Sequence, residues 1–443
     1  GVKVNINGGA LNATGNVNIK ADATTNADIG TIDATAAIAS AGSTVSVLNV
    51  TRDSAVNITG AQIEAGDINV NTNQDGLAEL YAYQGKISGV DINVTVTNAS
   101  LQGNNDITVS DSDLQAINAL NINTSDVSQL KLETIAATVS VGNVGVLIAN
   151  ASNDSTSTIN INNSSNLEAV NGDVNVLAHH GVSDTLRDDA QQVYENSIKN
   201  NKELASAKTA YEAAQNAYNA AEENDDKLSL ATDLESARLA LEDAEADAKR
   251  TAEIEKINYL MDTQNAETIN VKVIPTSVGV LATGLAVSSS LDDNSSTAVV
   301  IGANNGVGTD NNTFTAGNNV YINARNNSVN EISSVATAAS IGLAVGVTGV
   351  DIDANATSKV TVGDGNAFVA GTGTKTVDIE ALANVVNKAD MLGIGGAGVA
   401  SFAVNWADVT AKTDVDVIVG SNNYRANVLK INGESIIDQY AKA

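Results

Sequence analysis

The chain has 443 residues, a formal net charge of −29 at pH 7 and a pI near 4.2. Such acidity repels nucleic-acid phosphates and anionic lipid headgroups, which argues against nucleic-acid binding and against docking on anionic membranes. The chain has no cysteine, so disulfides and thiolate metal sites are excluded. A secreted protein without disulfides is predicted to be bacterial. Because it starts at Gly1 without an initiator Met or a signal peptide, the sequence predicts a processed product or a piece of a longer protein.

A short motif, apolar-x-Ala, recurs along the chain. Its copies begin at Leu11, Ile63, Leu114, Leu167, Phe314, Phe368 and Tyr424. Successive copies are 52, 51, 53, 147, 54 and 56 residues apart. A fixed period with one oversized gap predicts a repeat architecture that carries one insertion.

Strand patterns follow the motif. A short apolar-polar-apolar pattern follows most copies, as in Val17-Asn18-Ile19, and such alternation is typical of half-buried strands. A second run of alternating Val, Gly, Ala and Leu recurs later in the units, at 144–161, 280–301, 341–362 and 399–419. Stacking such units in parallel gives a parallel β-helix, and ordinary strand lengths predict about two or three coils per unit.

The oversized gap contains a helical segment. From about Asp184 to Asp262 the composition changes to helix-forming residues, and 28 of the 75 charged side chains lie there. Apolar residues recur every seven positions on either side of the polar break 223–226, namely Leu204, Tyr211, Tyr218, then Leu234, Leu241, Ala248. These seams predict two helices in an antiparallel hairpin. The predicted domains are therefore 1–183 (β-helix), 184–265 (helical hairpin) and 266–443 (β-helix continued).

Few residues suggest chemistry. His179-His180 would need partners such as Asp184 or Asp188 to bind a metal or transfer protons, and the sequence favours a solvated pair at a junction. Gly302–Gly308 and Gly371–Gly373 lack the Lys-Ser/Thr ending of a phosphate loop, so they are predicted to be turns.

Two acidic pairs invite a calcium or glycan-cleaving interpretation. Asp351-x-Asp353 and Asp414-x-Asp416 each place two carboxylates on one strand face. No Lys or Arg clusters beside them in sequence and aromatic residues are scarce, which favours a solvated outer face. The sequence therefore assigns no catalytic, cofactor-binding or metal-ligating residue and no cofactor, with calcium kept as an alternative.

The repeats resemble those of a known family. The strings at 314–324, 341–347 and 354–364 are similar to the repeats of leukotoxin-type filamentous adhesins and, more loosely, of filamentous haemagglutinin-like exoproteins exported by two-partner secretion or an autotransporter-like route. The resemblance covers 1–183 and 266–443. It implies a right-handed β-helical rod, exported by a Gram-negative bacterium and displayed at or released from its surface.

The expected function is structural and not enzymatic. The sequence predicts a segment of an extracellular cell-surface adhesin whose partners are proteins or glycans of host cells or bacteria, or biofilm matrix, with the hairpin as an interaction element. Two alternatives stay open. One is a filament or matrix protein that associates end to end, and the other is a polysaccharide-active β-helix enzyme.

Overall fold

The computed structural model describes residues 1–221, 225–262, 268–302 and 310–442. About 70% of the chain is strand and 17% is helix, and the strands form long parallel sheets, so the predicted all-β class is confirmed at that level. The chain divides into two compact units. The first, the β unit, joins Gly1–Val182 to Glu267–Ala443, and the second, the helical unit, is Ser183–Ala266. None of the described helices is both long enough and apolar enough to cross a membrane.

The β unit contains short motif strands and longer strands. The motif strands form one seven-stranded sheet and are β2 (Ala10–Asn12), β5 (Gln62–Ala65), β7 (Asp113–Ala116), β9 (Asn166–Ala169), β13 (Thr313–Ala316), β16 (Ala367–Val369) and β19 (Asn423–Arg425). The others form a 13-stranded sheet and are β1 (Val2–Asn7), β3 (Val17–Thr24), β4 (Ala27–Thr59), β6 (Ile68–Ser110), β8 (Leu120–Asn162), β10 (Val174–Gly181), β11 (Thr268–Asp293), β12 (Ser296–Ile301), β14 (Val320–Ser340), β15 (Leu343–Val362), β17 (Thr376–Ala397), β18 (Ala400–Val419) and β20 (Val428–Lys442).

Each repeat forms one coil. Away from the insertion, strand residues pair in parallel with residues 51–61 positions further on, as in Ala27 with Ala78 and Thr268 with Val329. The prediction of two or three coils per repeat is therefore wrong. The alternating pattern of each long arm is interrupted by polar residues, so the sequence resembles several short strands. In the structure each arm is one extended segment of about twenty residues.

The repeated motif forms a buried column. Ile63 pairs with Leu114, Leu114 with Leu167, and Leu167 with Phe314 across the insertion. Further along the column the rings of Phe314 and Phe368 stack with centroids 4.9 Å apart. The motif spacing read from the sequence is thus the spacing at which successive coils stack.

Every coil doubles back on itself at an arch. In β6 the side chain of Gln84 donates to Asn93 at 3.1 Å, although nine residues of straight strand would separate them by about 30 Å. The outgoing arm before the arch therefore faces the returning arm after it. Glycine allows successive arches to approach, since a Cβ at Gly342 would lie 1.9 Å from the carbonyl oxygen of Leu281.

Two large apolar clusters fill each coil. The proximal cluster joins the motif strands to the adjoining ends of both arms and is rich in Ile, Val, Leu and Phe. The distal cluster lies between the two arms nearer the arch and contains more Ala. Inward residues alternate with outward ones along both arms, as expected for strands with one buried face.

The insertion leaves the stacking register unchanged. Gly181 at the end of β10 pairs with Asn327, and Thr268 at the start of β11 pairs with Val329. Only Ser328 lies between those two partners, so residues 182–267 take the place of one residue of the next coil. The predicted resumption of the repeat in register is confirmed by this pairing.

The helical unit contains three described helices, where the sequence predicted two. They are α1 (Asp184–Asn200), α2 (Lys202–Ala220) and α3 (Asp225–Asp262), and both α1 and α2 pack against α3. Asn201 ends α1 and caps α2, because its side chain accepts from the amide of Leu204 at 2.9 Å. The heptad seam positions of α2 and α3 are among the least exposed of these helices. Residues 223 and 224 of the predicted polar break lie outside the described residues.

Candidate functional site

A row of polar side chains lies inside the β unit, between the proximal and distal apolar clusters. We call it the inner polar seam, and its buried members are Arg52, Ser54, Gln74, Asn105, Asp126, Ser155, His180, Asp293, Ser295, Asn326, Ser328 and Asn330. The parallel pairing of the coils brings these side chains together, since Gln74 pairs with Asp126 and Asp126 pairs with His180 in successive coils. The returning arms supply the opposite side of the seam.

Three charged or titratable side chains meet in the seam. Asp126 Oδ1 lies 3.4 Å from Arg52 Nη2, and its Oδ2 lies 3.4 Å from His180 Nδ1. The side chains of Arg52 and Asp126 are 1% and 0% exposed. Ser128 also donates to Asp126 and accepts from Arg52. Each of the three charge-bearing residues comes from a different coil, so the group links the first, third and fourth coils.

The pKa values of Asp126 and His180 move in the directions that favour the charged form of each group. Burial opposes ionisation of Asp126, but His180 and Arg52 outweigh it and lower the pKa of the carboxyl to about 2. Burial likewise opposes the charge on His180, but the carboxylate of Asp126, helped by that of Asp293, raises the pKa of the imidazole above its usual value. An ionised, solvent-excluded pair of this kind costs desolvation and depends on both partners being present.

The histidine pair is not where the sequence placed it. A solvated pair was expected, but His179 and His180 are only 7% and 6% exposed, so that prediction is wrong. His179 Nε2 lies 3.0 Å from the carbonyl oxygen of Val182, which closes the end of β10. Asp188 forms an ion pair with Arg187, and the side chain of Asp184 lies outside the described residues. The partner of His180 is Asp126, which lies 54 residues earlier.

The first acidic pair is part of a wider acidic row on the outer face. Asp351 pairs in register with Asp408, and Asp292 pairs with Asp353. Burial first, and the neighbouring Asp408 and Asp353 next, raise the pKa of Asp351. Asp351 is exposed, as the interpretation of a solvated face expects.

A lysine forms ion pairs with both carboxylates of the second acidic pair. Lys359 Nζ lies 2.7 Å from Asp414 and 3.1 Å from Asp416, so the expectation that no basic residue lies beside these carboxylates is wrong. The sequence hides this lysine because it is one repeat earlier, opposite Asp416 in the register. The two acidic pairs lie about six residues apart along neighbouring strands, or about 20 Å, and do not form one site.

The glycine runs give no phosphate loop in the described part of the chain. A Cβ at Gly371 would lie 1.8 Å from the carbonyl oxygen of Gly317, and Gly373 has a φ of +96°, so this run forms the predicted turn. Of the other run, residues 303–309 lie outside the described residues. Within the described ranges, no three His, Asp or Glu side chains are grouped so that they could hold a metal ion.

The helical unit has an open cleft of about 440 Å³ at the break between α1 and α2. Its lining includes Asn196, Asn200 and Asn201 from one side and Thr251 and Glu255 of α3 from the other. The amides and the carboxylate offer both donors and acceptors to a ligand or a peptide.

Comparisons with protein-family models, with curated proteins and with solved structures give no match. The site is therefore interpreted from its geometry. Sequence reasoning missed the inner polar seam, although the sequence carries a signal for it. Gln74, Asp126 and His180 occupy equivalent positions in three successive repeats, where a strand with one buried face would place apolar residues.

Proposed function

We propose that this chain is a segment of a bacterial cell-surface filamentous adhesin, a right-handed β-helix that carries an antiparallel helical hairpin. The observation that carries the proposal is the one-repeat register, in which each unit stacks as one coil and the stacking continues across the insertion. A stack of like coils offers wide, regular outer faces for contact with proteins or glycans. The acidic, cysteine-free composition agrees with a bacterial extracellular protein.

The charged groups of the described chain favour a binding role over an enzymatic one. Asp126 and His180 are sealed between two apolar clusters, where a polysaccharide cannot reach them. Asp414 and Asp416 both form ion pairs with the single lysine Lys359, so the carboxylates of this pair are already engaged with a shared partner on the outer face. The enzyme alternative therefore has little support from the geometry.

The hairpin is the element proposed for specific recognition. It is the only irregularity in the repeat that the sequence shows, and its cleft at Asn201 combines amides with Glu255. Because residues 182–267 replace a single residue of the coil, the hairpin is free to vary without disturbing the stack.

Binding of the purified chain to cells tests this function. We expect fluorescently labelled protein to bind host epithelial cells or partner bacteria saturably, and a variant lacking 184–262 to lose much of that binding. A variant with Asn200→Ala and Glu255→Gln probes the cleft, and Arg250→Gln on the same helix serves as its control. Absence of saturable binding to any of these cells would contradict the adhesin proposal.

A further inference from the structure

The arches share a surface without charge. Residues 34–51, 134–153, 273–291, 332–350 and 391–407, which form five of the six arches and their flanks, contain no Asp, Glu, Lys or Arg. Charged residues make up 17% of the whole chain, so segments of this length would be expected to carry several each.

The remaining arch, in β6, turns its charges inward. Lys86 and Asp91 are 4% and 1% exposed. Lys86 Nζ donates to Asn93 Oδ1 at 3.0 Å, and Ser40 donates to Asp91. The outer surface is therefore uncharged at all six described arches.

Large apolar side chains cover this surface. We call them the tip ridge, and each is more than 40% exposed: Ile38, Ile87, Val90, Ile92, Val139, Val141, Val144, Val278, Val280, Leu281, Ile341, Leu343, Leu392, Ile394, Val399 and Phe402. Monomeric soluble proteins rarely expose contiguous apolar patches larger than a few hundred Å², and larger patches mark interaction sites.

The tip ridge is continuous and fixed. Ile87, Val139 and Val278 are partners in the register of three successive coils. At the next arches a Cβ at Gly342 or Gly398 would meet the carbonyl oxygen of Leu281 or Ile341 in the preceding coil at 1.9 or 2.6 Å. The arches therefore stack in direct contact and hold the ridge side chains at the inter-strand spacing of about 4.8 Å.

We propose that the tip ridge binds the tip ridge of a second copy of this chain, side by side. Two copies with a net charge of −29 repel each other over most of their surfaces, and the uncharged ridge is where they can approach. The rows of side chains on the ridge are spaced like neighbouring strands. A surface with the same spacing is found on another stack of parallel strands, such as a second copy of this chain. The same patch on both subunits forms a self-complementary, closed interface.

The size of the ridge suits such a dimer. A standard interface uses about 20–30 residues on each side. The sixteen ridge residues, together with the Gly, Ala and Ser residues between them, supply that number and leave an apolar centre free of charge. This proposal is independent of the adhesin function.

Sedimentation of the full chain tests the proposal. We expect a concentration-dependent monomer–dimer equilibrium between about 1 and 100 µM. The triple variant Leu281→Glu, Ile341→Glu and Val399→Glu should weaken dimerisation at least about a hundredfold, because it places like charges face to face. The control triple changes residues of similar exposure elsewhere, Ile117→Glu, Val170→Glu and Leu228→Glu, and should leave the dimer unchanged.

Cross-linking gives a second readout that does not depend on the glutamate variants. The chain has no cysteine, so Leu281→Cys introduces a single thiol near the middle of the ridge. We expect oxidation to give a disulfide-linked dimer of this variant but not of Ile117→Cys. A monomer at every concentration, a dimer that the ridge triple leaves intact, or equal cross-linking of both variants would overturn the proposal. Binding to apolar beads or vesicles without dimerisation would assign the ridge to another occupant and would also overturn it.

Discussion

The β unit and the helical unit are stabilised over very different distances along the chain. In the β unit a buried side chain packs against partners one repeat away, as Phe314 packs against Phe368, 54 residues later. In the helical unit the pattern is local: the seam positions Leu204, Tyr211 and Tyr218 of α2 are seven residues apart, and the backbone amide of Leu204 donates to the side chain of Asn201, three residues before it. The comparison shows that one unit depends on register between repeats and the other on local helix formation.

The difference extends to charge. The helical unit contains 28 of the 75 charged residues, with local ion pairs such as Arg238 with Glu235. The β unit instead buries a charged group whose members lie 74 and 54 residues apart in sequence. A substitution should therefore change the stability of the unit that contains it and leave the other unit unchanged. The loss in free energy of unfolding should be larger where the partner of the substituted residue comes from another coil.

The largest expected effect is a charge placed in the motif column. Leu114 is fully buried between Ile63 and Leu167, so Leu114→Asp should destabilise the β unit by more than about 5 kcal/mol, because the carboxylate has no partner there. Urea unfolding followed by the β-sheet circular dichroism signal measures this. Leu239→Asp, at a 49% exposed position of α3, should change that signal little. Similar losses in both variants would contradict the separation of the two units.

The next effect concerns the inner polar seam. Asp126→Asn leaves Arg52 and His180 buried without their anion, which should cost the β unit about 3–5 kcal/mol. The exposed Asp154 of the same strand gives the control Asp154→Asn, with an expected change within about 0.5 kcal/mol. Equal unfolding midpoints for the two variants would show that the seam contributes no stability.

A smaller effect should appear in the pH dependence. The folded pKa of His180 is raised, so its contribution to stability is complete below the unfolded value near 6.5 and is lost as pH rises through the folded value. Asp126, whose pKa is lowered to about 2, acts in the opposite direction and loses its contribution only as pH falls from about 4 toward 2. Stability of the β unit should thus decrease as pH rises from about 6.5 to the folded pKa of His180, and His180→Gln should remove that decrease. A wild-type stability that does not change above pH 6.5 would contradict the buried ion pair.

The smallest effect on the stability of the β unit is expected from the largest deletion, that of the helical insertion. Replacing Asp184–Asp262 by a short Gly linker should leave the β-sheet signal and the unfolding midpoint of the β unit nearly unchanged, because Gly181 and Thr268 already face neighbours in one continuous register. The helical signal should disappear in the same spectrum. A loss of β signal would show that the insertion supports the stack.

The sequence was sufficient to predict the parallel stacking and its period, because each apolar-x-Ala copy packs directly on the next. It was insufficient for the number of coils, since an arch such as Val141-Gly142 carries no strong turn signal and the chain pairs only with other coils. The break at Asn201 was missed because a helix-forming composition continues on both sides of it and no Gly or Pro marks it. His180, Asp126 and Lys359 acquire their partners through register, which a pattern read along one repeat does not reveal.

Because each repeat forms one coil, the β unit uses many residues for each step along its stacking direction. Each coil uses about 52 residues and advances the stack by about 4.8 Å, or roughly 0.1 Å per residue, against 1.5 Å for a helix. The outgoing arm of β6, about twenty residues long, spans about 65 Å across the stack. Each added coil therefore extends the stack only slightly along its stacking direction, although every coil is wide across it. Such repeats are suited to presenting a wide, regular surface to a neighbour, and a long stack requires a very long polypeptide.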